Sequence, residues 1–131
     1  MKTSRTILAI FTLAFTTETS VAADQKWIQL LQDVSDRAST AFLIAYTCRD
    51  ALGVAYYNAV RAYGEQALRQ SGASPEAIKN KFDTLESNFK FDENLLHEGD
   101  PIKCVWMTTE ANRVFHASVT AFADYNLSTK P

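Results

Sequence analysis

Two cysteines and two histidines are the residues of this sequence with the most versatile chemistry. Cys48 and Cys104 could pair as a disulfide, or either thiol could act as a nucleophile if His97 or His116 deprotonated it. The same four side chains could in principle bind zinc, but no two of them have the short spacing of a zinc finger. The sequence also contains no Cys-x-x-Cys pair, Gly-rich phosphate loop or nucleophile elbow. We therefore predict no enzyme, no cofactor and no metal site.

The beginning of the chain favours the disulfide. A basic start, an apolar run over residues 7–15 and small residues ending at Ala23 form the pattern of a secretory signal peptide. An apolar run of about nine residues is too short for a bilayer, which takes roughly 20. We expect cleavage after Ala23, with an uncleaved anchor as the alternative, export to the periplasm or another oxidising space, and no stable membrane insertion afterwards. An exported chain with two cysteines favours a Cys48–Cys104 disulfide.

Composition limits the classes of partner and the number of domains. The whole chain carries 13 Lys and Arg against 15 Asp and Glu, a formal net charge of −2, and its basic residues are dispersed. Nucleic acid is therefore not expected as a partner. Residues 24–131 can form one domain that buries roughly two thirds of its unfolded-chain surface, but not two such domains.

A regular seven-residue spacing predicts a long first helix. The first row of apolar or small residues is Trp27, Val34, Ala41, Cys48, Ala55 and Ala62, and the second is Leu31, Ala38, Ala45, Leu52 and Ala59. Two adjacent rows of this kind are typical of an amphipathic helix. No Gly or Pro lies between residues 46 and 50, so the pattern favours one helix, continuous or bent at Gly53, over two helices split near residue 47.

The following helices have clear start signals. Ser74 is suited to an N-cap and Pro75 to the first helical position. The helical pattern then runs to Leu96, with an irregularity near Phe91 and Asp92, and is predicted to stop at Gly99. Asp100 and Pro101 repeat the same start signal for the last helix. The predicted inward face of the last helix comprises Cys104, Met107, Ala111, Val114, Phe115, Ser118, Phe122 and Tyr125. The expected fold is an all-α, up-down helical bundle with three long helices, or four if the first is split near residue 47, and one disulfide.

This topology supports the disulfide independently. If short connections make successive helices antiparallel, the helix after Ser74 returns to the level of Cys48. The last helix starts at that same end, which places Cys104 beside Cys48. Closing so long a loop would stabilise the fold by about 4 kcal/mol in the chain-entropy model.

Four carboxylates lie close together in the sequence, beside this predicted disulfide. They are Asp92, Glu93, Glu98 and Asp100, with His97 between them and no Lys or Arg. The segment is either a solvated helix end and turn or an acidic contact surface that attracts a basic partner. Its spacing does not match a calcium-binding loop.

Adjacent tyrosines offer a second candidate for contact. Tyr56 and Tyr57 point about 100 degrees apart on a helix, so burying both is difficult. We expect one of them to face the surface as an interface anchor. Most of the tyrosines of this region, together with Trp106 and Met107, are expected in the core or at its edge; the tyrosines are Tyr46, Tyr56, Tyr57 and Tyr63.

Three short segments carry a resemblance to a known family. "AYTCRDALG" places an early cysteine in an Ala- and Tyr-rich helix, "SPEAIKNKF" starts a helix, and "GDPIKC" opens the last helix with a cysteine. Together with the signal peptide, this layout resembles small periplasmic immunity proteins that protect bacteria from amidase effectors of type VI secretion. The resemblance implies a non-catalytic protein that inserts a loop or helix edge into the active-site cleft of a partner enzyme, and it is compatible with a homodimer.

The sequence thus predicts an exported, non-catalytic protein-binding domain, most concretely an inhibitor or immunity protein that neutralises a basic-surfaced enzyme. The alternative is an oligomeric structural component, or an assembly chaperone, of a cell-envelope complex. That alternative depends on the first helix, because a continuous helix would extend past its neighbours. Its apolar residues Trp27, Leu31 and Val34 would then be exposed to solvent unless another protein chain packed against them.

Overall fold

The regular structure of this protein is α-helical. The computed structural model describes residues 6–92 and 96–129, and it describes side chains from residue 25 onward. Within these ranges there is no strand, which confirms the all-α prediction. The helices are α1 (Thr6–Thr47), α2 (Arg49–Leu52), α3 (Val54–Gln70), α4 (Pro75–Phe91) and α5 (Pro101–Thr129). The side chains of the predicted signal peptide, residues 1–23, lie outside the described part, and its cleavage stays a prediction.

The expected continuous first helix is wrong, and the alternative of a split near residue 47 is correct. The chain leaves the α1 helix at Cys48, makes the single turn of α2, and passes Gly53 before α3 begins. Gly53 has φ 90° and ψ 157°, a backbone conformation that glycine adopts without steric cost. The reversal lets α3 fold back along α1, so that the ring of Tyr57 stacks on that of Phe42 with centroids 5.0 Å apart. Burial of these rings outweighs the continuation of one solvent-exposed helix.

Helix α4 starts where the sequence predicts and ends earlier. The Ser74 hydroxyl accepts a hydrogen bond from the Ala77 N–H at 3.2 Å, and Pro75 occupies the first position of the helix. The helix stops at Phe91, where the sequence shows an irregularity, so the predicted continuation to Gly99 is wrong. Residues 96–100 instead form a turn, and residues 93–95 lie outside the described part of the chain.

Helix α5 runs the whole length of the bundle. The Asp100 carboxylate caps it by accepting hydrogen bonds from the N–H groups of Ile102 at 2.9 Å and Lys103 at 3.4 Å. At the other end, the rings of Phe122 and Trp27 are 5.8 Å apart. The four long helices thus alternate in direction, and α1 packs against the other three.

The core lies between these helices and is rich in aromatic residues. Phe42 is fully buried and contacts the rings of Tyr57, Phe82 and Phe89 at centroid distances of 5.0 to 5.3 Å. Gly64 of α3 is also buried, and it lies against the ring of Phe82. A Cβ atom at this position would enter the space that this ring occupies. The main members of the core are Val34, Ala38, Phe42, Ala45, Tyr46, Tyr57, Leu68, Ile78, Phe82, Phe89, Phe115 and Phe122.

Helix α5 covers most of the apolar stripe that was expected to remain exposed on the first helix. Val34 is fully buried, Leu31 is half-buried, and Trp27 retains 36 % of its accessible surface. The oligomeric alternative stays a prediction. Across the described residues, no helix is both long enough and apolar enough to cross a membrane.

An ionic cluster ties α3 to α4. The Arg61 guanidinium donates hydrogen bonds to Glu65 at 2.7 Å on its own helix, and to Asp83 at 2.6 Å and Glu86 at 2.8 Å on α4. Hydrogen bonds from Arg61 and then Lys79 hold the pKa of the Asp83 carboxyl below its usual range. The cluster stabilises the packing of two helices, and its carboxylates are already engaged.

Candidate functional site

The disulfide marks one end of the bundle, which we call the disulfide end. It comprises Cys48, Cys104, the turn 96–100 and the adjoining helix ends. The predicted pairing is confirmed: the two Cα atoms are 5.6 Å apart, and both cysteines are fully buried. No free cysteine remains, so the chemistry of a nucleophilic thiol is excluded in this oxidised form.

The turn 96–100 is fixed to this end by hydrogen bonds as well as by the disulfide. The backbone N–H of Glu98 donates to the carbonyl of Thr47 at 2.9 Å. The guanidinium of Arg49 donates to the carbonyl of Leu96 at 3.0 Å, and the Leu96 side chain packs against the core. The turn is therefore held to the α1–α2 junction on both sides of His97.

The carboxylates of the turn are largely paired within the protein. Nε2 of His97 lies 2.9 Å from a carboxylate oxygen of Asp50, and the Glu98 carboxylate accepts a hydrogen bond from the Lys103 ammonium. Lys103, followed by the backbone N–H of Asp100, holds the pKa of Glu98 below its usual range, while Glu98 raises the pKa of Lys103. Asp100 keeps its charge while it caps α5, so the negative charge at this turn is reduced mainly by the pairing of Glu98 with Lys103.

The other predicted contact residues differ in accessibility. Asp92 is exposed at the end of α4, whereas Glu93 lies outside the described residues. Tyr56 is half-buried, and its hydroxyl accepts a hydrogen bond from the side-chain amide of Asn112 at 3.0 Å. Tyr57 is only 6 % exposed and belongs to the core, so its place in a contact surface was predicted wrongly.

The hydroxyl of Tyr57 is an unusual polar group in this core. It is buried without a hydrogen-bond partner of good geometry among the described residues. Burial and then the neighbouring Glu86 carboxylate raise the pKa of this phenol. Stacking on Phe42 stabilises the buried position of the Tyr57 ring. Burial of its unsatisfied hydroxyl opposes this position, because the hydroxyl loses its hydrogen bonds to water.

Several large apolar side chains are exposed at or near the disulfide end. Phe91 is 91 % exposed at the end of α4, Ile102 is 82 % exposed at the start of α5, and Val54 is 62 % exposed at the start of α3. Trp106 is 70 % exposed, so it is an exception to the expectation that most of these side chains lie in the core or at its edge. The missed signal is angular: Trp106 follows buried Cys104 by two positions, about 200 degrees around the helix.

The two histidines lie in separate places, and His116 lines a shallow pocket together with Tyr63 and Asn112. His116 lies on α5, where a ring nitrogen is 3.1 Å from the Tyr63 hydroxyl, far along the bundle from the His97–Asp50 pair. Among the described residues, no group of three His, Cys, Asp or Glu side chains is placed to hold a metal ion. The features of the disulfide end are thus a fixed turn and exposed apolar side chains.

Over the described residues, fold and site together define a disulfide-linked, up-down-up-down four-helix bundle in which the polar turn 96–100 is fixed at the disulfide end. Comparison of the sequence with protein-family models gave no match, and comparisons with curated proteins and with solved structures gave none either. Function is therefore argued from the geometry of this chain.

Proposed function

We propose that this protein is an exported, non-catalytic protein-binding domain, most concretely an inhibitor or immunity protein that binds and neutralises a partner enzyme in the periplasm. The observation that carries the proposal is the fixed turn 96–100 beside exposed apolar side chains. The disulfide fits an oxidising compartment, in which such bonds persist.

The turn 96–100 is suited to binding because its conformation is already fixed before a partner protein binds. A flexible loop loses conformational entropy when a partner immobilises it, at roughly 0.5–1.5 kcal/mol per side chain. Here the Thr47 and Leu96 carbonyls are already engaged, and the disulfide prevents α5 from separating from α1. A partner would therefore meet a surface of defined shape.

The exposed apolar side chains supply a driving force for association. Phe91 and Ile102 are each more than four-fifths exposed, Phe91 at the end of α4 and Ile102 at the start of α5, and both helix ends lie at the disulfide end. Burial of apolar area at an interface contributes roughly 25 cal/mol per Å² before the costs of association. Binding energy in protein interfaces is concentrated in a few such anchors surrounded by polar residues.

Charge has a smaller role in this proposal than in the sequence-based one. Glu98 and Asp50 have partners within the protein, whereas Asp92 stays exposed. Asp92 would therefore contribute most of the attraction for a basic partner, and the paired carboxylates of Glu98 and Asp50 would contribute less. We expect Asp92→Lys to slow association at low salt with little effect on dissociation.

Capture from an envelope extract of the source organism tests the proposal. The oxidised protein with a C-terminal tag is compared with the double variant Phe91→Ser/Ile102→Ser and with Ile28→Ser, a matched control that is 47 % exposed near the far end. We expect one protein to be retained by the wild type and the control and lost from the double variant.

Two results would contradict the proposal. One is equal retention, or no retention, of every extract protein by all three forms. The other is a large, stable homo-oligomer of the purified protein in light scattering, which would support the structural component or assembly chaperone instead. A monomer that gains mass only with the captured protein agrees with the proposal.

A further inference from the structure

We infer that the groove between α1 and α5 binds an amphipathic helix of the partner protein. This inference rests on the proposed function and assigns a second surface to it, which adjoins the disulfide end at Ile102. The groove is open to solvent and has a volume of about 320 Å³. Its apolar floor is formed by Ile44, Met107, Ala111 and Val114, and Trp106 stands at the end nearest the disulfide.

The dimensions of the groove fit two turns of helix. On α1 it extends from Arg37 to Ile44, and on α5 from Trp106 to Val114. At a rise of 1.5 Å per residue, both edges are roughly 10–12 Å long. A helix that lies along the groove would place apolar side chains from positions i, i+4 and i+7 on the floor, which is the usual pattern of helix-in-groove recognition.

The charges on the two edges specify the flanks of the bound helix. Arg37 lies on the α1 edge and Glu110 on the α5 edge. Within the described part of the chain, each pairs with a neighbour on its own helix, Asp33 for Arg37 at 3.3 Å and Arg113 for Glu110 at 2.6 Å. Exposed pairs of this kind contribute little and can be exchanged for a partner's charges. The bound helix should therefore carry an acidic residue on the side facing α1 and a basic residue on the side facing α5.

The exposed surface beyond the groove favours a protein over a small apolar molecule. Trp106 is 70 % exposed, and Ile102, one turn earlier on α5, is 82 % exposed. A ligand confined to the floor would leave both side chains in water, whereas small-molecule sites usually enclose most of the ligand. A helix that continues past the groove would cover Trp106. Tryptophan is among the residue types most enriched at the hot spots of protein interfaces.

A selection experiment with intrinsic fluorescence tests this inference. The probe is a phage-displayed library of helical peptides of about 18 residues, a length at which isolated helices can form. Binding is measured with the Trp27→Phe protein, whose remaining tryptophan, Trp106, lies at the groove. We expect apolar residues at i, i+4 and i+7 in the selected peptides, with an acidic and a basic flank, and a blue shift of Trp106 emission on binding.

Two sets of variants locate the binding. Trp106→Ala should weaken the selected peptides by about 30-fold or more, whereas Ile28→Ala, an exposed residue near the far end, should change affinity by less than about twofold. The double variant Arg37→Glu/Glu110→Arg should select peptides with the acidic and basic flanks exchanged. Its three-dimensional structure should be retained because both residues lie at the surface.

Several outcomes would overturn the inference. These are selected peptides without the helical pattern, unchanged affinity in Trp106→Ala, or unchanged flank preference in the charge-exchanged variant. A homodimer that buries Trp106 without peptide would assign the groove to a second copy. Displacement of the peptide by submicellar dodecyl maltoside, with the same emission shift, would assign it to small apolar ligands.

The inference and the proposed function can fail separately. Capture of an extract protein that depends on Phe91 and Ile102 but not on Trp106 would leave the proposed function in place and refute the groove. Selection of helical peptides without capture of any extract protein would refute the proposed function.

Discussion

Replacement of Gly64 by alanine tests the packing of three helices. Two effects of opposite sign compete. Alanine favours a helix interior over glycine by about 1 kcal/mol. However, a Cβ at Gly64 would lie 2.8 Å from Cζ of Phe82, 3.3 Å from Cε1 of the same ring, and 3.6 Å from Cβ of Ala38.

The ring of Phe82 has little room to move away. It is fully buried, and its centroid is 5.3 Å from that of Phe42 in an edge-on contact. Restoring ordinary carbon–carbon separation requires a movement of roughly 0.7–1 Å. Overpacking of this kind costs about 1–3 kcal/mol. After the gain in helix propensity, we expect Gly64→Ala to lower the free energy of unfolding by about 1 kcal/mol.

Urea denaturation followed by circular dichroism at 222 nm measures this change. Ala62→Gly is the matched control, because Ala62 is exposed on the same helix and should show only the propensity effect, a loss of about 1 kcal/mol. A double-mutant cycle with Phe82→Leu should show a coupling of about 1 kcal/mol or more, since the smaller side chain makes room for the Cβ. If Gly64→Ala stabilises the protein by about 1 kcal/mol, or if the cycle shows no coupling, the packing argument is refuted.

Three further predictions concern the disulfide, a buried hydroxyl and a helix cap. Cys48→Ser/Cys104→Ser should lower the free energy of unfolding by about 4 kcal/mol, because the bond joins residues 56 apart; a loss below about 1 kcal/mol in urea denaturation would contradict this. Tyr57→Phe should raise or preserve stability at neutral pH, because it removes an unsatisfied buried hydroxyl. Its raised pKa means that the unfolded phenol ionises first, so wild-type stability should fall above about pH 10 by up to about 1.4 kcal/mol per pH unit relative to Tyr57→Phe. Parallel pH profiles of the two proteins would refute that assignment. Ser74→Ala should cost about 1 kcal/mol by thermal or chemical unfolding, against a near-neutral Ser87→Ala in the exposed middle of the same helix; equal effects would exclude the cap.

The features that could be predicted were encoded in neighbouring residues or in chain order. Ser74 and Asp100 begin helices because each side chain satisfies N–H groups two or three residues later. The Cys48–Cys104 pairing followed from antiparallel packing of successive helices, which holds for the observed bundle although its first helix is split. These inferences needed no knowledge of which side chains meet across the core.

The errors came from interactions between distant residues. The seven-residue rows continue from α1 into α3, and each of these helices has its own amphipathic face. The spacing is therefore the same for one long helix and for two helices, and it could not reveal the reversal at Gly53. The stacking of Tyr57 on Phe42 explains that reversal, and it also removes Tyr57 from the surface. Similarly, the net charge at the turn depended on whether Glu98 forms an ion pair with Lys103, which the sequence did not show.

The sequence by itself determined the helical class, the start of α4 and α5, and the disulfide at one end of the bundle. These features depend on capping, helix propensity and periodicity, which act over a few residues, and on the order of the helices. Only the tertiary structure decided where the first helix is divided, which tyrosine is buried, and that Trp106 stands beside an open groove. Those outcomes depend on how apolar faces from different helices share one core, which is a non-local property of the chain.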